Sequence, residues 1–211
     1  MISFFLRTKH WVLFLLGFLL PFFLYIALMI QFVTKMSMDP NPDPTVIFGI
    51  FNYFPLLFLI PMFIQYGWFW SVGIGLKRYH PENSGLRYNL FQVLFIIQIL
   101  LLIGFFLFFR LFLEAMANNI ENPDPNGFTS MLWFFPLQII TVVISFYMYG
   151  FCGRAIKIAE LKQPVNFGDA LGEFFLVWFF PIGVWFLQPR INRIVSGAIQ
   201  DGTSDALDSG L

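Results

Sequence analysis

The stretch Trp11–Val33, WVLFLLGFLLPFFLYIALMIQFV, runs for 23 residues with Gln31 as its one clearly polar side chain. A helix rises about 1.5 Å per residue and the bilayer's hydrocarbon core is about 30 Å thick, so roughly 20 such residues cross it. The rest of the chain agrees. Of its 211 residues 58% are hydrophobic, 31 are Phe and only 11% are charged. A soluble domain is about one quarter charged. So few charges cannot cover a water-facing surface, and Leu90–Phe109 carries none at all. The expected class is all-α, a polytopic membrane helical bundle.

The first block reads as a retained signal-anchor helix. Its apolar run is too long for a cleavable signal peptide, and no small-x-small cleavage site follows before Lys35. Three further spans are expected: one within Val46–Leu76, one at Leu90–Leu113 and one within Phe128–Ile156. The second and fourth blocks exceed one span, and each has a proline near its start, Pro55 and Pro136. The parts before those prolines, Val46–Phe54 and Thr129–Phe135, suit helices lying along the interface. Pro61 is expected to kink the second span.

A fifth block, EFFLVWFFPIGVWFLQPRIN at Glu173–Asn192, is harder. Its apolar part, Phe174–Gln188, has 15 residues, about 22 Å as straight helix. Pro181 and Gly183 interrupt its middle. It is short for a span and broken in a way that suits a re-entrant hairpin, which we favour over a fifth span. Lys and Arg set the orientation. Arg7, Lys9, Lys77, Arg78, Arg87, Arg154, Lys157 and Lys162 fall on one side, and Lys35 and Arg110 on the other. The N-terminus is therefore expected in the cytoplasm. A hairpin keeps Arg190 and Arg193 with that majority, and a fifth span exports them. The small, polar and acidic residues 194–211 suggest a disordered tail.

The tetrapeptide NPDP occurs at Asn41–Pro44 and again at Asn122–Pro125, 81 residues later. The same offset aligns WVLFLLGFLL at Trp11 with QVLFIIQILL at Gln92, and YFPL ending at Leu56 with FFPL ending at Leu137. Apolar matches are cheap in membrane segments, but the position of a proline is not. The pattern suggests two parallel tandem units, 11–88 and 92–168, with 169–193 as a partial third element in one transmembrane domain, 1–193. NPDP itself has a structural explanation. Asp43 and Asp124 are placed to cap helices, with Pro44 and Pro125 at the first helical position, where a missing N–H does no harm.

Charged residues in mid-membrane usually mark ion or proton paths, and none is expected here. Arg110 and Glu114, one turn apart at the outer end of span three, read as an interfacial ion pair. Asn52, Gln65, Gln98 and Gln138 are expected to hydrogen-bond between helices. Gly67, Ser71 and Gly75 recur every four residues on span two, spacing that lets helices approach closely. Packing within the chain is the expected use, with a homodimer or partner contact as the alternative. Trp11, Trp68, Trp70, Tyr79 and Tyr88 fit an aromatic belt.

Little points to chemistry. His10 and His80 belong to no metal-ligand cluster, and no Walker loop or G-x-S-x-G occurs. Asp39, Asp43, Glu121 and Asp124 offer oxygens of the kind Ca²⁺ takes, but on two loops that need not meet. Cys152 is the single cysteine, so no intramolecular disulfide is possible. No cofactor, metal or catalytic residue is expected, and a chain of zero net charge is not expected to bind nucleic acid. Asn166 or Asp169 is placed to cap the helix entering the fifth block. Glu173, unusual at the head of an apolar run, is expected to pair with Arg190 or Arg193 across the hairpin.

The closing element, FFPIG followed by W and QPRIN, resembles the C-terminal end of a set of small, uncharacterised bacterial integral membrane proteins. The likeness covers Phe167 to about Val195. It implies a bacterial inner-membrane protein and carries over no activity and no site residue. The expected function is a non-catalytic accessory or assembly subunit, in contact with lipid and with another membrane protein or a second copy of itself. The alternatives are a small transporter or channel-like protein and, third, a membrane enzyme acting on lipid.

Overall fold

Four helical stretches are long and apolar enough to cross a membrane: His10–Met38, Leu57–Tyr79, Tyr88–Ala115 and Phe135–Leu161. They come from a computed structural model that describes residues 2–38, 54–121, 132 and 134–208. Both NPDP loops, with Asp43, Pro44, Asp124 and Pro125, lie outside the described residues, as do Asn52, nearly all of the first expected interfacial segment and about half of the second. No strand occurs among the described residues. The chain is a multi-pass, all-helical membrane protein.

A short helix α1 (Ile2–Arg7) precedes α2 (His10–Phe14), and the first span continues through a π-helical turn, Leu15–Leu19, into α3 (Leu20–Met38). The π turn has a local cause. Pro21 has no N–H to offer the carbonyl of Gly17, and the ladder widens so that the Leu20 N–H reaches the Leu15 carbonyl, five residues back. Next come α4 (Phe54–Gly75), which runs through Pro61 without a break, and a 3₁₀ turn, Leu76–Tyr79. They are followed by α5 (Tyr88–Glu121) and α6 (Phe134–Leu161). The fifth block forms α7 (Leu171–Trp178) and α8 (Phe180–Asp208). Helix α8 carries on to Asp208 through most of the stretch whose composition suggested a disordered tail. Small polar residues remove a reason to pack, but no proline follows Pro189 to stop the helical backbone.

The fifth block doubles back on itself. Phe179 sits at φ −85°, ψ 56°, outside helical geometry. Beyond it, a Cβ added to Gly183 would run into the backbone of Leu176. In a straight helix residues seven apart are separated by about 10 Å, so this contact requires a reversal. Only glycine lets the two arms close so tightly.

The second and fourth spans are the most deeply buried, while the other two reach the core mainly near their inner ends, through residues such as Leu13 and Phe91. In the most apolar window of each, 33% of span two and 28% of span four are buried, against 6% and 11% for spans one and three. Lipid is as apolar as leucine, so helices associate in it through close packing and hydrogen bonds rather than hydrophobic burial. The small-residue stripe on α4 serves that packing inside the chain. A Cβ on Gly67 would lie 2.6 Å from Phe5, and one on Gly75 2.6 Å from Ile2. Ser71, fully buried, turns its hydroxyl inward to donate to the Gly67 carbonyl at 2.7 Å. Phe5 and Leu6 of α1 are buried in this way while their neighbour Phe4 stays exposed. Trp68, assigned above to an interfacial belt, is instead a core residue, 1% exposed.

Candidate functional site

The polar groups converge on one end of the bundle. That end holds α1, the loop after α4, the loop after α6 and both arms of the hairpin. Helix α1 is too short to satisfy its own last carbonyls. Gln188 of α8 does it instead, its Nε2 donating to the carbonyls of Phe5 and Thr8 at 2.8 and 2.9 Å. Asn192 adds a donation from Nδ2 to the Thr8 carbonyl at 3.3 Å. The other face of the Gln188 amide, Oε1, accepts from Trp68 Nε1 at 2.8 Å. Gln188 is 0% exposed and thereby ties α1, α4 and α8 together.

Beside it lies an ionic clasp. Glu173, 5% exposed, accepts on Oε1 from Lys157 Nζ at 3.1 Å and from Arg190 Nη2 at 2.8 Å. Arg190 also holds Glu160, donating from Nε at 3.1 Å and pairing through Nη2. A straight helix would separate residues 173 and 190 by about 25 Å, so their contact places both mouths of the hairpin at the same end of the molecule. Gly153 makes room for this, since a Cβ there would lie 2.9 Å from the Phe174 backbone nitrogen. Burial acts to raise the Glu173 pKa, but hydrogen bonds from Arg190 and Lys157 outweigh it and hold the carboxyl below its ordinary value. Arg193 takes no part in the clasp. Asp169 caps in reverse, accepting from the Asn166 backbone N–H at 3.3 Å, and the Asn166 side chain does not cap the turn that follows.

His80 links the loop after α4 to the start of α5 and to α6. Its Nε2 contacts the Ala155 carbonyl at 2.8 Å and its Nδ1 the Tyr88 hydroxyl. A carbonyl only accepts, so Nε2 carries the proton, and a neutral ring uses both nitrogens by accepting the Tyr88 O–H at Nδ1. Burial pushes its pKa down, with the nearby Lys162 charge acting the same way and the Ala155 hydrogen bond opposing. His10 instead packs its ring against Trp185, 4.7 Å between centroids.

Deeper in the membrane the polar groups thin out. Gln98, 0% exposed, donates from Nε2 to the Tyr66 hydroxyl at 3.2 Å, and its Oε1 has no partner. Tyr66 lines an open groove of about 460 Å³ between α4 and α5, walled by Leu59, Phe63, Trp70, Phe95 and Phe106. Arg110 and Glu114 form an exposed i,i+4 pair at 3.1 Å, far from the clasp. Cys152 is fully buried. No group of three or more His, Cys, Asp or Glu that could hold a metal ion occurs among the described residues. The four outer acids fall outside that description, Glu121 by its side chain.

Chemically, the polar groups at this end hold helices to one another. Each carboxylate of the clasp is paired with a cation. Glu173 with Arg190 was nameable in advance because an acid heads the apolar block and a base ends it. Gln188, Trp68 and His80 were missed as a set. The one available signal was an amide closing an otherwise apolar block. In comparisons with known proteins, no family model, no curated protein and no solved structure matches this chain.

Proposed function

We propose that this chain is a non-catalytic accessory or assembly subunit that binds another membrane protein. The observation that supports it is the groove between α4 and α5, about 460 Å³ and almost wholly apolar, beside an α5 with little cover. Its aromatic walls, Phe63, Trp70, Phe95 and Phe106, offer the shaped, uncharged surface that side chains of another transmembrane helix pack into. The charged groups of the clasp, by contrast, are turned on one another. The location that fits is a bacterial inner membrane with the N-terminus in the cytoplasm, since the eight inner basic residues sit with α1 and the hairpin mouth. A tandem duplication of the two-span unit remains part of this reading, carried by the 81-residue offset.

The test is a photo-crosslinker placed in the groove at Phe63 or Ile99, and on the opposite core span at Val143, followed by purification in mild detergent. One discrete protein adduct of fixed stoichiometry, from the groove positions alone, is expected. A lone monomer carrying only lipid adducts ends the accessory reading.

A second reading, a small transporter or channel-like protein, draws on the unpartnered Gln98 Oε1 and on the helix break at Phe179. Irregular backbone at membrane depth is tolerated where it is buried or lines a cavity. A water-filled path would let a membrane-impermeant thiol reagent label Gln98→Cys in a chain whose Cys152 is replaced by Ala. Protection of that cysteine ends this reading.

A further inference from the structure

Between the start of α5 and the inner half of α6 lies a second cleft, also about 460 Å³, on a different face of α5 from the groove. Gly85, Arg87 and Phe167 stand around it with Phe146, Tyr147 and Arg154. Two guanidiniums therefore share one cleft, and neither pairs with a carboxylate among the described residues. Several other cations at this end are engaged. Lys157 and Arg190 hold Glu173, Lys77 lies over the Tyr88 ring at 5.1 Å, and Lys162 donates to the Tyr79 carbonyl at 3.2 Å.

The cleft is built, not incidental. Arg154 Nε donates to the Val165 carbonyl at 3.1 Å, which fixes the guanidinium and leaves its outer nitrogens for another acceptor. One of them, Nη2, would lie 4.0 Å from a Cβ on Gly85, whose φ of +67° is a left-handed conformation that suits glycine. Arg87 and Arg154 both lie close enough to Tyr147 for their charges to act on its hydroxyl. Two forked cations and a phenol converge on a space that is otherwise apolar. Its position matters equally. Tyr88 opens the third span and Leu161 closes the fourth, so Arg87 lies at the membrane boundary and Phe146 several turns deeper.

A ligand for this cleft needs an anionic oxygen cluster at one end and an apolar body at the other. Guanidinium groups match phosphate oxygens in paired hydrogen bonds, and basic pockets between membrane helices on the cytoplasmic side take lipid head groups. We propose that the cleft between α5 and α6 binds the phosphate of an anionic phospholipid through Arg87 and Arg154, with the acyl chains running down past Phe146. The apolar walls are what favour a lipid over a free phosphate ion. The site does not depend on the accessory reading.

The full chain in mild detergent tests it, by melting temperature and by native mass spectrometry, with phosphatidylglycerol, phosphatidylcholine or inorganic phosphate added. Phosphatidylglycerol is expected to raise the melting temperature and to remain bound one to one, and the other two are not. Arg87→Gln removes an exposed side chain and is expected to weaken the phosphatidylglycerol response roughly five-fold. Lys77→Gln, at the same end but outside the cleft, is expected to leave it unchanged. An equal response to inorganic phosphate overturns the lipid assignment. An equal response to phosphatidylcholine, or full affinity in Arg87→Gln, overturns the site.

Discussion

Trp68 and Gln188 stand 120 residues apart in the chain and share a buried hydrogen bond of 2.8 Å, indole to amide. The same amide holds the end of α1, so one side chain secures three elements. Gln188→Leu keeps the bulk but orphans the Trp68 N–H and the Phe5 carbonyl and leaves the Thr8 carbonyl with Asn192 alone. Each buried group left unpaired costs about 1–3 kcal/mol, so the variant is expected to lose about 2–4 kcal/mol. Trp68→Phe loses one hydrogen bond and some packing. It is expected to cost less, and the double variant less than the sum, because both act on one bond. Thermal unfolding in detergent reads all three.

The hairpin predicts a sharp contrast among glycines. Gly183→Ala places a methyl in the Leu176 backbone, and overpacking of this kind costs about 1–3 kcal/mol or more. Gly104 and Gly172 face open space, and alanine there is expected to be neutral or stabilising by up to about 1 kcal/mol through helix propensity. Melting temperatures that fail to separate these variants count against the tight turn.

Glu173→Gln leaves Arg190 and Lys157 facing a neutral amide. The carboxylate is buried but Arg190 is partly in solvent, at 26% side-chain exposure, so the expected loss, about 1–3 kcal/mol, lies below that for a wholly buried pair. The pH dependence has a definite sign. The folded carboxyl titrates below its ordinary value of 4.5. Its stabilisation is complete above that value and is lost as the pH falls through the folded-state pKa. Glu173→Gln is expected to remove this acid limb from the stability profile.

His80 gives a second, higher window. Its folded pKa lies below 6.5, so the unfolded ring takes a proton first as the pH drops. Stability from this residue is complete above about 6.5 and declines below it. His80→Ala is expected to be less stable at pH 8 yet to show a flatter profile between pH 6.5 and the acid limb. An unchanged slope in that window would rule out His80 as its source.

The same-end geometry of residues 173 and 190 bears on topology. A reporter enzyme active only in the cytoplasm, fused after Leu211, is expected to be active, as is one fused before Met1. Activity at one terminus alone contradicts the hairpin.

Much of this architecture was legible in the residues because hydropathy over 20 or so positions is a bulk property. The four spans needed no tertiary information. Glu173 and Arg190 were legible because charge at both ends of an apolar block has few partners to choose from. The stripe Gly67, Ser71, Gly75 announced a close neighbour without naming it. Six-residue α1 has no pattern long enough to show that Phe5 and Leu6 fill that stripe. Gln188 looked like the edge of a span because its partners, Phe5, Thr8 and Trp68, are set by the fold and not by spacing. His80 looked isolated for the same reason. The cleft of Arg87 and Arg154 joins residues 67 apart in sequence, and both had been counted only toward orientation.

The bond from Gln188 to the carbonyl of Phe5 spans 183 residues. A ribosome makes α1 well before Gln188. Until then α1 has its stripe on α4, but its Phe5 carbonyl lacks the Gln188 donor. The hairpin thus closes around α1, and a nascent chain stalled before the hairpin emerges leaves that helix unsecured. Quality control that senses an undocked α1 would thereby be sensing whether synthesis had passed the hairpin.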